Sequence, residues 1–436
     1  MATLTAASGL LCLLLAFSAD VAARDATQAD KGSMVEAADA PWHWRRGKLR
    51  LVPGWFNEGG GTHFAHLDGV VETEFNEAWR GELAARLDVW RDNAAIGSGE
   101  QKADIDALFL QWRGGERHRA TLGYQIVRWG KTDEISPVDR VAREDWSRPF
   151  EDLADRRRAL PMLRYEHFGK DYNLDLLWRP WFKEAEMPRL DSAWSPIDQR
   201  RGRLLGFAPD PAMAFLVSNG RFVDDPDGGA GWGARLSTNG RGYDWALSAQ
   251  RWRRSAPYYA VDLPSLTFHG RHPFSLVLGG EFAASLGPLT TRAEFAYIAD
   301  EPVTINNATL DYTTIPAYEA VAGLDWWPGD KDTLVVMQLA WRQLDKGGLN
   351  ILDHSHSLAL TGSVRSEWGH GNWQSRLRYS IGLDRRDNYF NPSITWTGWE
   401  AQQLSLGGHW FSGKDSTPGG YYKDNDFIYL EWRHDL

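Results

Sequence analysis

The sequence predicts an all-β protein, a single transmembrane antiparallel β-barrel of about 18 strands, with 16 as the alternative. Three observations carry this. Segments that alternate apolar and polar residues recur along the chain. Their connectors alternate between short and long. And 23 Trp are spread over 436 residues, beside aromatics totalling 13 %. In a barrel such rings belong in the girdles at the bilayer interface, where an apolar ring with one N–H suits the headgroup zone.

Residues 1–23 read as a signal peptide. The apolar run 9–17 is too short to span a bilayer and ends before Val21, Ala22, Ala23 and Arg24. No Lys or Arg precedes that run. The single cysteine, Cys12, lies within it, so cleavage leaves a chain with neither disulfide nor thiolate chemistry. Residues 24–46 are polar and Ala-rich and read as a periplasmic leader. The barrel is expected over 47–436.

The first strand is expected over 48–55, followed by 69–79, 82–91 and 104–112. In 82–91, Leu83, Ala85, Leu87 and Val89 share one face, opposite Arg86 and Asp88. Residues 120–129 continue the pattern. Leu122, Tyr124 and Ile126 fall on one face, Arg119, Thr121 and Gln125 on the other. Strands 162–168 and 173–182 form a hairpin. A Pro- and Arg-rich segment, 183–230, separates them from the rest, with a strand extension expected at 212–217. From Gly231 the rhythm is regular, with strands over 231–238, 242–252, 274–286, 290–299, 316–327, 333–344, 357–368, 372–384, 393–399, 402–411 and 427–436. Connectors such as Gly287-Pro288 and Glu400-Ala401 are short, and those at 253–273, 300–315, 345–356, 385–392 and 412–426 are long. Short periplasmic turns and long external loops mark outer-membrane barrels. An even count that returns both termini to one side needs 48–55 as a strand.

The acidic balance, a formal net charge of -10, argues against nucleic acid as a partner. The partners implied by the fold are outer-membrane lipid and the barrel-assembly machinery, which would read the last strand, where Ile428, Leu430, Trp432 and Leu436 share a face. Alternation also assigns a lumen lining: Arg292, Glu294, Glu319, Asp325, Arg342, Arg365, Glu367, Arg376 and Arg378. A charge on the lipid face would cost about 2–4 kcal/mol near mid-membrane, so these side chains belong inside. There they either line a path for solutes or form a structural ladder of ion pairs.

The segment 132–159 is unusually long and dense in both charge signs. It follows a strand that is expected to end on the external side, so it would start at the pore mouth. The reading is a loop folded inward to narrow the pore, with Asp139, Arg140, Arg143, Glu144, Asp145, Arg148, Arg156, Arg157 and Arg158 at the constriction. Trp146 and Phe150 would anchor it. Arg156, Arg157 and Arg158 would form a positive cluster favouring anions. The bland alternative is a mobile external loop.

No other constellation points to chemistry. His354 and His356 flank a serine beside Asp353 without a third ligand, so no metal is expected. Asp224, Asp225 and Asp227 precede glycines but lack the glutamate that completes a calcium loop. There is no Gly-x-Ser-x-Gly elbow, and His409 faces the lumen by alternation. No catalytic residue and no cofactor is expected.

Three segments resemble a proteobacterial family of outer-membrane barrels of unassigned function, domain of unknown function 1302. They are GYQIVRWGKTDEISPVDR (123–140), LPMLRYEHFGKDYNLDLLWRPWF (160–182) and EAEMPRLDSAW (184–194). The resemblance implies an outer-membrane barrel and hints at partnership with an inner-membrane exporter of the resistance–nodulation–division type. It brings no catalytic residues. The expected function is an outer-membrane channel passing small polar or anionic solutes, or an exported compound, through an aqueous lumen. The alternative is a conduit for lipid or another hydrophobic molecule served by that exporter.

Overall fold

The computed structural model describes residues 42–436 apart from 93–97, 225, 227, 239, 241, 330 and 331. The signal peptide with Cys12 and most of the leader lie outside these residues, as do Asp225 and Asp227.

Eighteen antiparallel strands close into one barrel. In chain order they are β1 (His43–Phe56), β2 (Gly61–Asn76), β3 (Trp79–Asp92), β4 (Ser98–Gly114), β5 (His118–Gln125), β6 (Leu160–Phe168), β7 (Tyr172–Arg179), β8 (Gly231–Thr238), β9 (Tyr243–Arg253), β10 (Phe274–Leu286), β11 (Leu289–Thr304), β12 (Tyr312–Trp326), β13 (Thr333–Leu344), β14 (His356–Trp368), β15 (Trp373–Gly382), β16 (Asn388–Trp399), β17 (Gln402–Ser412) and β18 (Phe427–Asp435). Each pairs with its neighbour, and β1 pairs with β18 to close the ring. Gly47 and Leu436 exchange backbone hydrogen bonds at the seam, at 3.1 and 2.8 Å. Closure leaves no strand edge unpaired, which a bilayer demands.

Burial is inside-out relative to a soluble protein. Leu108, Leu110, Leu247, Phe282, Leu339, Leu377 and Leu406 are exposed on the outer wall, while Arg86, Asp88, Glu281, Glu294 and Asp325 are buried within. Only hydrocarbon covers such an outer face at no cost. Trp79, Trp112, Trp326, Trp368 and Trp399 are exposed next to the short turns; Trp55, Trp178, Trp181, Trp232 and Trp410 are exposed toward the long loops. Trp90, Trp129, Trp194 and Trp252 depart from the girdle expectation, being buried.

Strand phase follows the sequence reading. Arg376 and Arg378 both reach Asp152 inside the barrel, at 3.1 and 2.6 Å, whereas Leu377 between them is exposed. Accordingly, Arg376→Cys is expected to react with a small polar thiol reagent in native membranes and Leu377→Cys is not. Equal labelling would mean that the phase is wrong.

The strand ends differ in instructive ways. β1 begins at His43, before the expected boundary at 47. β2 covers Gly61–Asn76 where 69–79 was expected, since Trp79 starts the next strand. β11 and β12 run through much of the expected loop 300–315, because a register shift between Ile298 and Glu301 lets pairing continue. Most consequentially, β5 stops at Gln125 rather than at Trp129.

Residues 212–217 are not a strand extension. They belong to a helix, Pro211–Asn219, started by Pro211 and capped by the Asp210 side chain, which accepts from the Ala212 and Met213 amides. This helix packs with a three-stranded sheet of Arg221–Asp224, Thr267–Arg271 and Tyr258–Asp262 around Val217, Val261 and Phe268. The assembly forms a cap over the long-loop end, the external end in outer-membrane barrels.

Candidate functional site

The wall formed by β5 to β8 is low. Those strands have 8, 9, 8 and 8 residues, against 14 to 17 in β1 to β4. Gln125 and Leu160 are register partners, so the chain leaves and re-enters the wall at one height. The segment between them turns into the barrel, where it contacts β11, β12 and β15. This corrects the expectation that the segment starts at the external mouth.

The segment first hugs the inner wall. Val127 and Trp129 turn inward and pack with Val141, Leu160, Met162, Leu177 and Trp252. The Trp129 indole donates to Asp175 on β7 at 3.0 Å. Glu294 on β11 then gathers the chain. Its Oε1 accepts from the Lys131 amide, the Thr132 amide and the Thr132 hydroxyl, at 2.5, 2.7 and 2.8 Å, and its Oε2 accepts from Ser136 at 2.6 Å. Gly130 permits this turn. Its φ is +102°, and a Cβ there would sit 2.3 Å from Ser136 Oγ. Arg292 and Asp325 pair at 2.6 Å, and Arg292 also takes Asp133 at 2.8 Å. Lys131 reaches Asp244, the second residue of β9, at 3.6 Å. Both contacts lie near the short-turn end, so the segment dips deep into the lumen.

It then climbs back. Val138 packs against Val277, Ala296, Ile298, Ala317 and Leu344 of the far wall. Glu134 and Asp152 hold Arg378, at 3.1 and 2.6 Å. Arg140 pairs with Glu319, which also takes Arg342 at 3.3 Å. Arg143 pairs with Glu186 and, at 2.9 Å, with Asp104. Arg148 lies over the Phe64 ring and bonds Glu151 at 2.8 Å, and Glu151 is also 3.5 Å from Arg50. Phe150 inserts among Trp194, His409 and Phe427, with ring centroids 4.4 to 5.3 Å away. Trp146 stacks on Arg156 at 4.8 Å.

The expected cluster of Arg156, Arg157 and Arg158 is split. Arg157 is buried against Asp139 at 2.5 Å. Arg158 is buried between Asp145 at 2.6 Å and Asp88 at 3.6 Å. Arg156 alone of the three borders the upper cavity, 3.3 Å from Glu144. The acids are interleaved with the arginines, so charge is neutralised locally. Arg365 and Glu367 share the face of Arg376 by register but stand exposed near the short-turn end.

Several holding groups lie outside the lumen set that alternation assigns. Glu301 takes Arg342 at 2.7 Å and Arg254 at 3.4 Å, but it lies beyond the strand end expected from sequence. Arg86, Asp88 and His66 form a buried network behind Arg158, with His66 2.6 Å from Asp88. Alternation along 82–91 already placed Arg86 and Asp88 opposite the apolar face, so the same lumen argument could have found them. His354 and His356 reach separate partners, the Ser416 carbonyl and Gln343. Asp224 is tied to His272 at 2.8 Å. His409 bonds the Tyr389 hydroxyl at 2.8 Å.

Within the segment, burial would raise the Glu151 carboxyl, but Arg50 and Arg148 outweigh it and hold it down at about 2. Asp145 is likewise held at about 2, by Lys102 and Arg158 against burial. Both lie below the unfolded carboxylate values of about 4. Their stabilisation is therefore complete above pH about 4 and is lost as pH falls toward 2. Asp139 and Glu134 go the other way: burial raises both, so their protonation relieves a cost. The anchoring is expected to survive acidification to about pH 4 and loosen only below about 3, read as protease sensitivity of the segment.

The space left open is a stack of cavities. An upper one of about 670 Å3 meets a middle one of about 490 Å3 at Trp146, Arg156 and Arg342. A lower one of about 400 Å3, lined by Arg46, Lys48 and Arg86, meets the middle one at Arg157.

The barrel is similar in fold to Pseudomonas aeruginosa OccK5 (OpdH). The two share 10% identity over 90% of this chain and 97% of that one, at a TM-score of 0.52. Acinetobacter baumannii OccAB3 matches at 8% identity over 92% of this chain and 100% of that one, with a TM-score of 0.49. Pseudomonas aeruginosa OpdL matches at 9% identity, over 92% and 99%, again at 0.49. No protein-family model matches the chain, and no curated protein matches it. At these identities the likeness concerns the fold.

Proposed function

We propose that this protein is an outer-membrane channel for small polar or anionic solutes, narrowed by residues 126–159. The observation that carries this is the folding of a whole inter-strand segment into the lumen, with a polar, ion-paired cavity on each side of it. A barrel that served only as a surface scaffold would have no use for such a device. The outer membrane is the compartment that suits an apolar-belted barrel. Charged pairs around the lumen disfavour the alternative of a lipid conduit, since an acyl chain would leave them desolvated. Membership of the domain-of-unknown-function-1302 family, and work with an inner-membrane exporter, remain part of this proposal on the strength of the sequence motifs.

The test is a planar-bilayer recording. Purified protein should give discrete conductance steps, and a salt gradient should give a reversal potential of the sign for anion preference. Arg156→Ala should move that potential toward zero. Absence of steps from folded, heat-modifiable protein would end the channel reading.

A further inference from the structure

The upper cavity has a lining that a passage for simple ions does not need. Trp146 and Phe150 come from the inward segment, Ile197, Leu204 and Phe207 from the cap side, and Phe411 from the wall. Its volume of about 670 Å3 is typical of sites that enclose a small organic molecule. Water alone in contact with so much apolar surface is a poor occupant.

One edge of the cavity carries charge with spare donors. Arg342 and Arg378 border it, but each is held by two carboxylates, Glu301 with Glu319 and Glu134 with Asp152. Arg156 is different. Its Nε and Nη1 are buried and make no hydrogen bond, although Glu144 stands 3.3 Å from Nη1. Trp146 covers its guanidinium face and fixes the plane of the fork. Arg385 also borders the cavity and keeps its Nε buried without a hydrogen bond. A buried donor left unmade is costly, and a guanidinium pairs well with a carboxylate.

We propose that this cavity binds an amphipathic organic anion, a molecule with a ring-containing apolar body and a single acidic group. The acid pairs with the Arg156 guanidinium, which borders the cavity with Glu144 as its one carboxylate partner, and the body lies among Trp146, Phe150, Leu204 and Phe207. Occupancy removes apolar surface from water and gives the guanidinium a second acid at the same time. Binding here deepens the channel reading, naming the solute class that pauses at the external side before the constriction.

The probe is 2-naphthoate, titrated calorimetrically into the detergent-solubilised full-length protein. 2-Naphthol, with the body and no charge, and acetate, with the charge and no body, are the comparisons. Naphthoate should saturate one site and bind at least tenfold tighter than either. Arg156→Ala should weaken naphthoate at least tenfold and leave naphthol unchanged. Phe207→Asn, on the cap side and away from the segment's ion pairs, should weaken it from the apolar side. Heat-modifiable migration checks that both variants are folded. Naphthoate binding no tighter than naphthol, or equally in the wild type and both folded variants, overturns the proposal. A bilayer recording separates the two readings. Conductance steps without naphthoate binding remove this inference alone. Naphthoate binding in a protein that gives no steps removes the channel reading and leaves the site.

Discussion

Replacing residues 127–158 by a short Gly-Ser turn is expected to raise single-channel conductance several-fold. Gln125 and Leu160 are already register partners, so a hairpin turn of about two to five residues joins β5 to β6 without moving the wall. The barrel's backbone ladder is independent of the segment, since every strand is paired on both sides. What disappears is the mass in the lumen: the turn on Glu294, the Val138 contact and the arch on Arg376 and Arg378. The price is exposure of Ala296, Ile298 and Ala317 to lumen water and loss of partners for wall arginines, so the unfolding temperature should fall at the same time. Conductance at the wild-type value, in a variant shown to be folded, would mean that the segment does not limit passage.

The second large effect concerns Glu151. Its carboxylate lies between Arg148 and Arg50, and its low pKa of about 2 records how strongly the ionised form is favoured there. Glu151→Ala leaves one guanidinium, Arg148, buried without this partner, while Arg50 keeps Glu431 at 3.0 Å. Removing one member of a buried pair costs about 3–5 kcal/mol, and the second partner of Arg50 puts the expectation near the lower end. Glu151→Gln should recover part of the loss through neutral hydrogen bonds. An exposed pair is the control. Arg189→Ala, opposite Asp191 at 3.0 Å on the surface, should leave heat resistance at the wild-type value. The measurement is the temperature at which folded migration is lost on a gel. A Glu151→Ala protein as heat-resistant as the wild type would show that the arginines find water or other acids instead.

Alternation along the chain placed charged strand residues on the lumen side of the wall. The physical reason is severe and local. A charge facing hydrocarbon is costly at any one position, so Arg292, Glu294, Glu319, Arg342, Arg376 and Arg378 have one side available, and the ion pairs and hydrogen bonds they make are on that side. Connector lengths likewise determined that strands come in up-and-down pairs and that β1 is needed to close the ring with β18. The density of charge in 132–159 offered polar contacts that could hold the segment, with a mobile loop as the alternative. Which contacts was decided only by the tertiary structure. Thr132 meets Glu294 at a separation of 162 residues, and Asp152 meets Arg378 at 226. Within such a segment any acid could serve any arginine, and nothing local distinguishes Asp139 as the partner of Arg157 from Asp145 as the partner of Arg158. Strand β5 was read too long for a related reason. Val127 and Trp129 continue the two-residue period of the strand, but they spend it against β6, β7 and β9 inside the barrel rather than in the wall, and periodicity is the same in both places.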